Sequence, residues 1–399
     1  MKAISILIFL LPLLTVYGQI SNKTNPVGII SKINSNILNE EREIWIYVPK
    51  AYDKDTDSTT KYPVVYLLDG NSHFHSVAAI VDNLSRNFLC PKMFVVGIVN
   101  TNRSRDLTPS FSGKNFEGKN NSNSTFGGAH NFTKFIENEL IPYIDSAYRT
   151  APYRMLIGHS FGGLMALNTL INYEHLFNSY VAIDPSLWWD NQYLLTQIDS
   201  SLTNKKLSKT LYIGIANTMM PGMDTIQARK DTSISTLGIR SILKLTDKLR
   251  ANSYSGIRWS YNYYKDEDHN SIPLIATYDA LRFIFNYYKF VGENNDSINL
   301  ISHFENVSSQ MGYRIVPPEL SVNEQGYYYL QRKMFEKAYT FFKKNIEYYP
   351  KSFNVYDSMG EYFEALGDKE KAIEYYTLAL KIKEFPDTKT KLERLKAEK

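Results

Sequence analysis

The sequence contains a single cysteine, Cys90, among its 399 residues. One cysteine cannot form a disulfide within the chain, so the fold must be held together by its packed core. A large excess of charge of one sign is also missing, because the 45 Lys and Arg residues are nearly balanced by 41 Asp and Glu residues. No basic run is interleaved with aromatic residues, and a net charge of +4 over this length gives no reason to expect nucleic-acid binding.

The amino terminus carries an apolar run, residues 6–16, that is too short to span a bilayer comfortably. It follows the positive charge of Lys2 and precedes Val16-Tyr-Gly18, which resembles a cleavage site. This pattern predicts a secretory signal peptide over residues 1–18, and an uncleaved amino-terminal anchor is the alternative. No cysteine follows the run, which argues against a lipid-anchored lipoprotein. We therefore expect an exported protein, periplasmic or secreted, of a bacterial envelope.

Residues 26–290 alternate between short apolar runs and helical patterns. Continuous apolar runs indicate strands that are buried on both faces of a sheet. Five such runs occur, at residues 62–68, 93–99, 154–157, 180–183 and 211–215. The alternation predicts an α/β domain with a mostly parallel sheet and helices on both faces.

A 34-residue repeat follows a linker, residues 291–318, in which we expect one helix near residues 298–309. Gly326 and Gly360 are 34 residues apart, as are Ala338 and Ala372. This spacing is typical of tetratricopeptide repeats and predicts a small all-α domain, residues 319–399, of two repeats and a capping helix. Two tetratricopeptide repeats are fewer than usually fold stably in isolation. We therefore expect them to pack against the linker helix and the α/β domain, or against a protein partner or a second copy.

Gly158-His-Ser-Phe-Gly162 lies between a predicted buried strand and a predicted helix. A strand, a sharp turn and a helix around G-x-S-x-G form a nucleophile elbow, with Ser160 as the nucleophile. In this fold the base follows later in the chain, and His269 lies in a loop between a predicted strand and a predicted helix. We therefore predict that Ser160 and His269 form a catalytic pair.

The catalytic acid is less defined by the sequence. It should follow the strand at residues 211–215, where Asp224 is the nearest carboxylate and our prediction. Asp231 and Glu267 are alternatives, and a Ser-His dyad without an acid also remains open.

A metal site at Asp266, Asp268 and His269 is not expected, because no second histidine cluster supports it. We expect no metal and no organic cofactor.

An oxyanion hole needs two backbone N–H groups. Phe161, which follows the nucleophile, should supply one, and Gly70 or Asn71 after an early strand should supply the other.

Arg105 and the pair Trp188-Trp189 are candidates for substrate binding on the same rim. Arg105 would hold an anionic group of the substrate or pair with Asp106, and the tryptophans would stack on aromatic acyl groups or pack the loop.

The segments 62–70 (Tyr-Pro-Val-Val-Tyr-Leu-Leu-Asp-Gly) and 158–163 (Gly-His-Ser-Phe-Gly-Gly), with Asp268-His269 and Ser271, resemble the esterase D family of α/β-hydrolases. Within that family the chain is most similar to siderophore esterases that cleave catecholate trilactones. The resemblance implies an α/β-hydrolase fold and a serine esterase that acts through an acyl-enzyme. Ser160 and His269 match the family positions, whereas Asn217 stands at the strand end where the acid is expected.

The resemblance favours a siderophore ester or another aromatic ester as the substrate. An acetyl or feruloyl ester of a polysaccharide is the alternative within the same chemistry. A different class also fits the sequence, namely a non-catalytic binding protein that acts through its repeats.

Overall fold

The computed structural model describes residues 27–50, 52, 60–113, 119–120, 125–202, 207–251, 256–290 and 300–397. The predicted signal peptide lies outside these residues. Of the helices in the described ranges, none combines the length and the apolar character that crossing a membrane requires.

An eight-stranded sheet organises the first part of the chain, in the order β1-β2-β4-β3-β5-β6-β7-β8. β1 and β2 pair antiparallel, β2 pairs antiparallel with β4, and every other neighbouring pair is parallel. The strands are β1 (Ile29–Ser35), β2 (Glu40–Tyr47), β3 (Tyr62–Leu67), β4 (Phe94–Ile98), β5 (Thr150–His159), β6 (Ser179–Ile183), β7 (Lys209–Ala216) and β8 (Ile257–Tyr264).

The continuous apolar runs are the central strands, as the sequence predicts. Every residue of β3, β4 and β6 is buried. Successive side chains of β3 belong to different cores: Val64 and Tyr66 pack on one side of the sheet, and Val65 and Leu67 pack on the other. Because both faces are covered, these strands consist almost entirely of apolar and aromatic residues, and the buried Ser179 of β6 is hydrogen-bonded to the Tyr153 hydroxyl. The predicted α/β fold class is confirmed.

Helices cover both faces of this sheet. α1 (Gly70–Arg86) and α9 (Ile272–Ile284) pack on one face. The other face carries α3 (Ala129–Phe135), which continues through a π-helical turn (Ile136–Leu140) into α4 (Ile141–Ala147), with α5 (Phe161–Asn172), α6 (Trp189–Leu202) and α8 (Leu237–Ala251). The remaining elements of this part are the short α2 (Arg103–Leu107), α7 (Thr225–Lys230) and a 3₁₀ turn (Ile234–Thr236).

Parallel pairing aligns the carboxyl ends of β5 to β8. His159 at the end of β5 pairs with Ile183 at the end of β6, and Ile183 pairs with Gly214 of β7. The loops that follow these strands therefore leave the sheet at one edge. Residues far apart in the sequence meet there.

The linker contains the predicted helix, α10, which the structure describes from Leu300 to Met311. Its Val307 and Met311 are buried with residues of β5, α1 and α9, and the Tyr287 hydroxyl donates to Met311 Sδ over 3.0 Å. Its Leu300 and Phe304 are buried with the repeats instead. One helix thus contributes to two hydrophobic cores.

The repeats form two helical pairs followed by a capping helix. The helices are α11 (Glu319–Gln331), α12 (Phe335–Tyr348), α13 (Phe353–Ala365), α14 (Lys369–Ile382) and α15 (Pro386–Ala397). A Cβ atom on Gly326 would lie 2.6 Å from the Phe342 ring, and one on Gly360 would lie 2.6 Å from the Tyr376 ring. The repeated glycines therefore let paired helices approach closely.

Candidate active site

β5 ends in a strained turn at Ser160. Ser160 has φ 59° and ψ −117°, and α5 begins at the next residue. A non-glycine residue rarely adopts positive φ, and such strain is found mainly at functional sites. Two backbone hydrogen bonds hold the turn: Ser160 N donates to Ile183 O over 2.9 Å, and Leu164 N donates to Ser160 O over 2.9 Å.

The glycines around Ser160 make this turn possible. A Cβ atom on Gly158 would overlap the carbonyl group of Gly162. A Cβ atom on Gly163 would lie 3.0 Å from Pro185, in the loop after β6. Strand, helix and neighbouring loop therefore pack closely enough to fix the Ser160 hydroxyl at the edge of the sheet.

The structure brings Ser160 and His269 together, with Asp184 as the third member. His269 Nε2 lies 3.1 Å from Ser160 Oγ. On the other side of the ring, His269 Nδ1 lies 2.5 Å from Asp184 Oδ2. His269 lies in the loop between β8 and α9, and Asp184 directly follows β6. A hydroxyl, an imidazole and a carboxylate thus form one hydrogen-bonded chain.

Asp224 is not the carboxylate that faces the histidine, so this prediction is wrong. Its Oδ1 accepts hydrogen bonds from Ile226 N and Gln227 N, over 2.9 and 2.7 Å, and caps α7. The alternative Asp231 is likewise engaged with Ser233 and Thr236. Both follow β7, whereas the carboxylate beside His269 follows β6.

Glu267 and Asn217 hold the histidine loop through their own contacts. Asn217 N donates to Glu267 O over 2.8 Å, and Asn217 Nδ2 donates to Lys265 O over 2.9 Å. The residue at the expected acid position therefore anchors the loop of His269. A sequence signal for Asp184 did exist: it is a carboxylate placed directly after a continuously apolar strand, ahead of Pro185.

Asp184 directly follows β6 and is hydrogen-bonded to the end of β7. It is only 5% exposed and has φ 39°. Its backbone N–H donates to Gly214 O over 2.8 Å, and its Oδ1 accepts from Ala216 N over 3.1 Å. A buried carboxylate requires such partners. An ionised carboxylate only accepts hydrogen bonds, so Asp184 places the proton of a neutral His269 on Nδ1 and leaves Nε2 as an acceptor.

The amino ends of α1 and α5 lie side by side at this edge. Leu68 N donates to Ile157 O over 2.9 Å, and a Cβ atom on Gly162 would lie 3.1 Å from Asp69 Oδ2. Gly70 is the first residue of α1 and Phe161 the first of α5. N–H groups in the first turn of a helix have no partner within the helix. Phe161, Gly70 and Asn71 therefore remain the predicted donors to an oxyanion.

Arg105 takes its structural alternative, the ion pair. Its Nε donates to Asp106 Oδ1 over 2.7 Å, and its Nη atoms donate to Glu40 over 2.6 and 3.1 Å. Asp106 is also paired with the buried Arg42 over 2.6 Å. Because three nitrogens of its guanidinium are bonded to Asp106 and Glu40, Arg105 is an ion-pair partner and not a substrate-binding residue.

Arg103, two residues earlier, is the arginine beside the elbow. It forms a bidentate pair with Asp69 over 2.6 and 3.0 Å, and its Nη2 donates to His159 O over 3.3 Å. Its guanidinium lies 5.5 Å from the centre of the Phe161 ring, and 35% of its side chain is exposed. Positions two apart on a helix point in nearly opposite directions, which separates Arg103 from Arg105.

The two tryptophans differ. Trp189 is buried, its Nε1 donates to Ser110 O over 3.1 Å, and its ring packs edge-on against Phe161 at 5.1 Å. Trp189 therefore packs the loop, which is the alternative that the sequence left open. Trp188 is half-buried, with its ring centre 6.0 Å from that of Phe161. A stacking role stays a prediction for Trp188 alone.

His159 lies between two other imidazoles, in a tilted contact with His269 and an edge-on contact with His73. Its ring centre lies 4.5 Å from that of His269 and 5.6 Å from that of His73. Burial, with smaller effects from those two imidazoles, lowers the pKa of His159 to about 4. Its Nε2 is buried and has no hydrogen-bond partner among the described residues. His159 is therefore neutral when His269 would act as a base.

Within the described ranges, no group of three potential ligands is placed to hold a metal ion.

The burial of His159 predicts how stability depends on pH. The pKa of His159 is lower in the folded chain than in the unfolded chain, so the unfolded chain takes up the proton first as the pH falls. The contribution of His159 to the free energy of unfolding is fully present above about pH 6.5. It decreases by about 3 kcal/mol as the pH falls to about 4. We expect His159→Phe to lose less stability between pH 7 and pH 4.5 than the wild type does, as measured by urea unfolding.

The exposed His75 provides the control for this experiment, because His75→Gln removes a histidine without removing a buried one. His269, His73 and Asp184 face His159 and are unchanged in both variants. Equal losses of stability in the wild type and His159→Phe would contradict the prediction.

Comparisons with known proteins give matches for both parts of the chain. A family model described as "Putative esterase" matches residues 35–213, and a tetratricopeptide repeat model matches residues 353–386. The chain is 30% identical over 256 residues to the ferri-bacillibactin esterase BesA of Bacillus subtilis, covering 60% of this chain and 84% of the relative.

Solved structures extend the likeness. An IroE-like serine hydrolase from Shewanella oneidensis has 30% identity and a TM-score of 0.68, over 80% of this chain and 99% of that one. An uncharacterised protein from Capnocytophaga ochracea shares the fold over 92% of this chain and 99% of its own, with a TM-score of 0.63 and 19% identity. The chain therefore belongs to the esterase family that includes the ferri-bacillibactin esterase, and it carries a tetratricopeptide repeat after the esterase domain.

Proposed function

We propose that this protein is an exported serine esterase that cleaves carboxylic esters through an acyl-enzyme on Ser160. The hydrogen-bonded chain from Asp184 through His269 to Ser160 carries the proposal. The three residues come from loops after three different strands, yet their side chains meet in the order that nucleophilic catalysis requires. All three belong to the esterase domain and none to the repeats.

Acylation begins with a proton transfer. His269 Nε2 takes the proton of Ser160 Oγ as that oxygen attacks the carbonyl carbon of the ester. Asp184 stabilises the imidazolium that forms. The N–H group of Phe161, with that of Gly70 or Asn71, donates to the oxyanion. The imidazolium then gives its proton to the departing alcohol oxygen as the carbon–oxygen bond breaks.

Deacylation repeats these steps with water. His269 takes a proton from a water molecule as its oxygen attacks the acyl carbon of the acyl-enzyme. The bond between that carbon and Ser160 Oγ breaks, and the proton returns from His269 to Ser160. The products are a carboxylic acid and an alcohol, and no cofactor is needed for either step.

A siderophore ester or another aromatic ester is the substrate class that we propose. The relative that the chain matches over 84% of its length is named a ferri-bacillibactin esterase. Beside the nucleophile, Phe161 and the half-buried Trp188 offer aromatic surface, and Arg103 offers a partly exposed cation. Aromatic rings with a cation above them suit an aromatic and anionic ligand.

A panel of esters tests the proposal. We expect the protein to hydrolyse a catecholate trilactone and simple aromatic esters faster than acetylated or feruloylated polysaccharide. Ser160→Ala should lower each rate by at least about 10³-fold, because the nucleophile is lost while the turn keeps its shape. Full activity in folded Ser160→Ala would disprove the serine mechanism. Preference for polysaccharide esters would replace the substrate class, and inactivity on the whole panel would favour a binding protein.

The acid is tested by two asparagine variants. Asp184→Asn should lower kcat by about 10²–10⁴-fold with little change in KM, because the amide no longer holds the productive tautomer of His269. Asp224→Asn makes the same carboxylate-to-amide change at the exposed residue that caps α7, and it should stay within about twofold of the wild type. The reverse pattern would restore Asp224 as the acid. If neither variant loses activity, a Ser160–His269 dyad is the better description.

Export is tested on the mature amino terminus. The run at residues 6–16 and the site before Gln19 support cleavage by a signal peptidase. We expect amino-terminal sequencing of the protein recovered from its native host to begin at Gln19, and from an envelope or extracellular fraction. A chain that begins at Met1 in the cytoplasmic fraction would rule export out.

A further inference from the structure

Ser186 is a buried serine that touches the nucleophile. It lies in the loop after β6, two residues beyond Asp184, and is only 4% exposed. Its Oγ lies 3.2 Å from Ser160 Oγ. Its backbone N–H donates to Ser160 O over 3.0 Å, and its carbonyl accepts from Trp189 N over 3.1 Å. The Ser186 hydroxyl is therefore fixed beside the Ser160 hydroxyl by the backbone on both sides.

The direction of the bond between the two hydroxyls follows from Asp184. The carboxylate keeps the proton of neutral His269 on Nδ1, so Nε2 can only accept. Ser160 must then donate its one hydroxyl proton to His269 Nε2. With that proton committed, Ser160 Oγ can only accept from its other neighbour. Ser186 is therefore the donor in the contact between the two serines.

We propose that Ser186 is a further catalytic residue, whose hydroxyl stabilises negative charge on Ser160 Oγ. The inference rests on the proposed function, because it assigns a role within the same reaction. As the proton of Ser160 moves to His269, Oγ gains negative charge and the hydrogen bond from Ser186 becomes charge-assisted. The Ser186 proton stays on its own oxygen, and no bond to Ser186 forms or breaks.

The same donor acts a second time. When the acyl-enzyme is hydrolysed, Ser160 Oγ leaves the acyl carbon and again carries negative charge until His269 returns the proton. Hydrogen bonds to a charged acceptor are about twice as strong as neutral ones, so the contribution is larger in both transition states than in the resting enzyme. The oxyanion donors, by contrast, act on the carbonyl oxygen of the substrate. Ser186 thus supplements the oxyanion hole at a different atom.

Removal of the Ser186 hydroxyl tests this role in the full-length protein. We expect Ser186→Ala to lower kcat on an aromatic ester by about 10–100-fold with KM unchanged. The rate at which a fluorophosphonate labels Ser160 should fall by a similar factor, because that reaction needs the same oxygen but no ester binding site. Ser186→Cys keeps a side chain of similar shape with a weak donor, and its rates should fall as well.

Ser241→Ala is the matched control. Ser241 is a fully buried serine on α8 whose hydroxyl donates to Leu237 O over 2.7 Å, so its loss removes an equal number of atoms elsewhere. We expect its kcat and labelling rate to match those of the wild type. Urea unfolding confirms that each variant is folded at the assay temperature.

The outcomes separate the two proposals. Wild-type kcat and labelling rate in folded Ser186→Ala would overturn the role of Ser186 and leave the esterase mechanism intact. A rise in KM with unchanged kcat would also overturn it, since Ser186 would then act on substrate binding alone. Absence of any Ser160-dependent turnover or labelling in the wild type would overturn the proposed function, and this inference with it.

Discussion

The hydrogen bond between Asp184 and His269 is the interaction on which the site depends. It joins the loop after β6 to the loop after β8, across the end of β7. Asp184 is hydrogen-bonded to the backbone of β7 at Gly214 and Ala216. The position of the sheet therefore determines, through Asp184, the position of the imidazole. The bond also decides which nitrogen of His269 carries the proton. The orientation of the Ser160 hydroxyl, and then that of the Ser186 hydroxyl, follow from it.

This edge of the sheet concentrates backbone strain. Asp69 after β3, Ser160 after β5 and Asp184 after β6 all have positive φ, at 55°, 59° and 39°. Each such non-glycine residue costs on the order of 1–3 kcal/mol and persists only where surrounding contacts leave no alternative. Here the contacts are backbone hydrogen bonds between neighbouring loops and the close approach of glycine backbones in the elbow. Packing of the central sheet thus maintains turns that the local sequence would not adopt alone.

α10 connects the esterase domain and the repeats physically. Val307 and Met311 complete the core under α1 and α9, while Leu300 and Phe304 complete the core of the repeats. The repeats end in a polar cap, where Lys391 pairs with Asp357 over 2.9 Å and Arg394 pairs with Glu364.

All four tryptophans of the chain, by contrast, lie in the esterase domain: Trp45, Trp188, Trp189 and Trp259. Tryptophan fluorescence during unfolding therefore reports on the domain that carries the site.

Local patterns in the sequence were sufficient for the central strands, the elbow at Ser160 and the pairing of Ser160 with His269. Buried strands and G-x-S-x-G turns leave their signal in neighbouring residues, and the tetratricopeptide repeats leave theirs in a 34-residue spacing, because each structure needs particular residue types at fixed positions. The tertiary structure decided which carboxylate faces His269 and which arginine lies beside the elbow. Asp184 and His269 are 85 positions apart, and several carboxylates lie in loops at the same edge of the sheet. Which of them reaches the imidazole depends on the register of parallel strands, and the direction of each arginine depends on how one short helix packs. Neither quantity is encoded within a few residues of the side chain concerned.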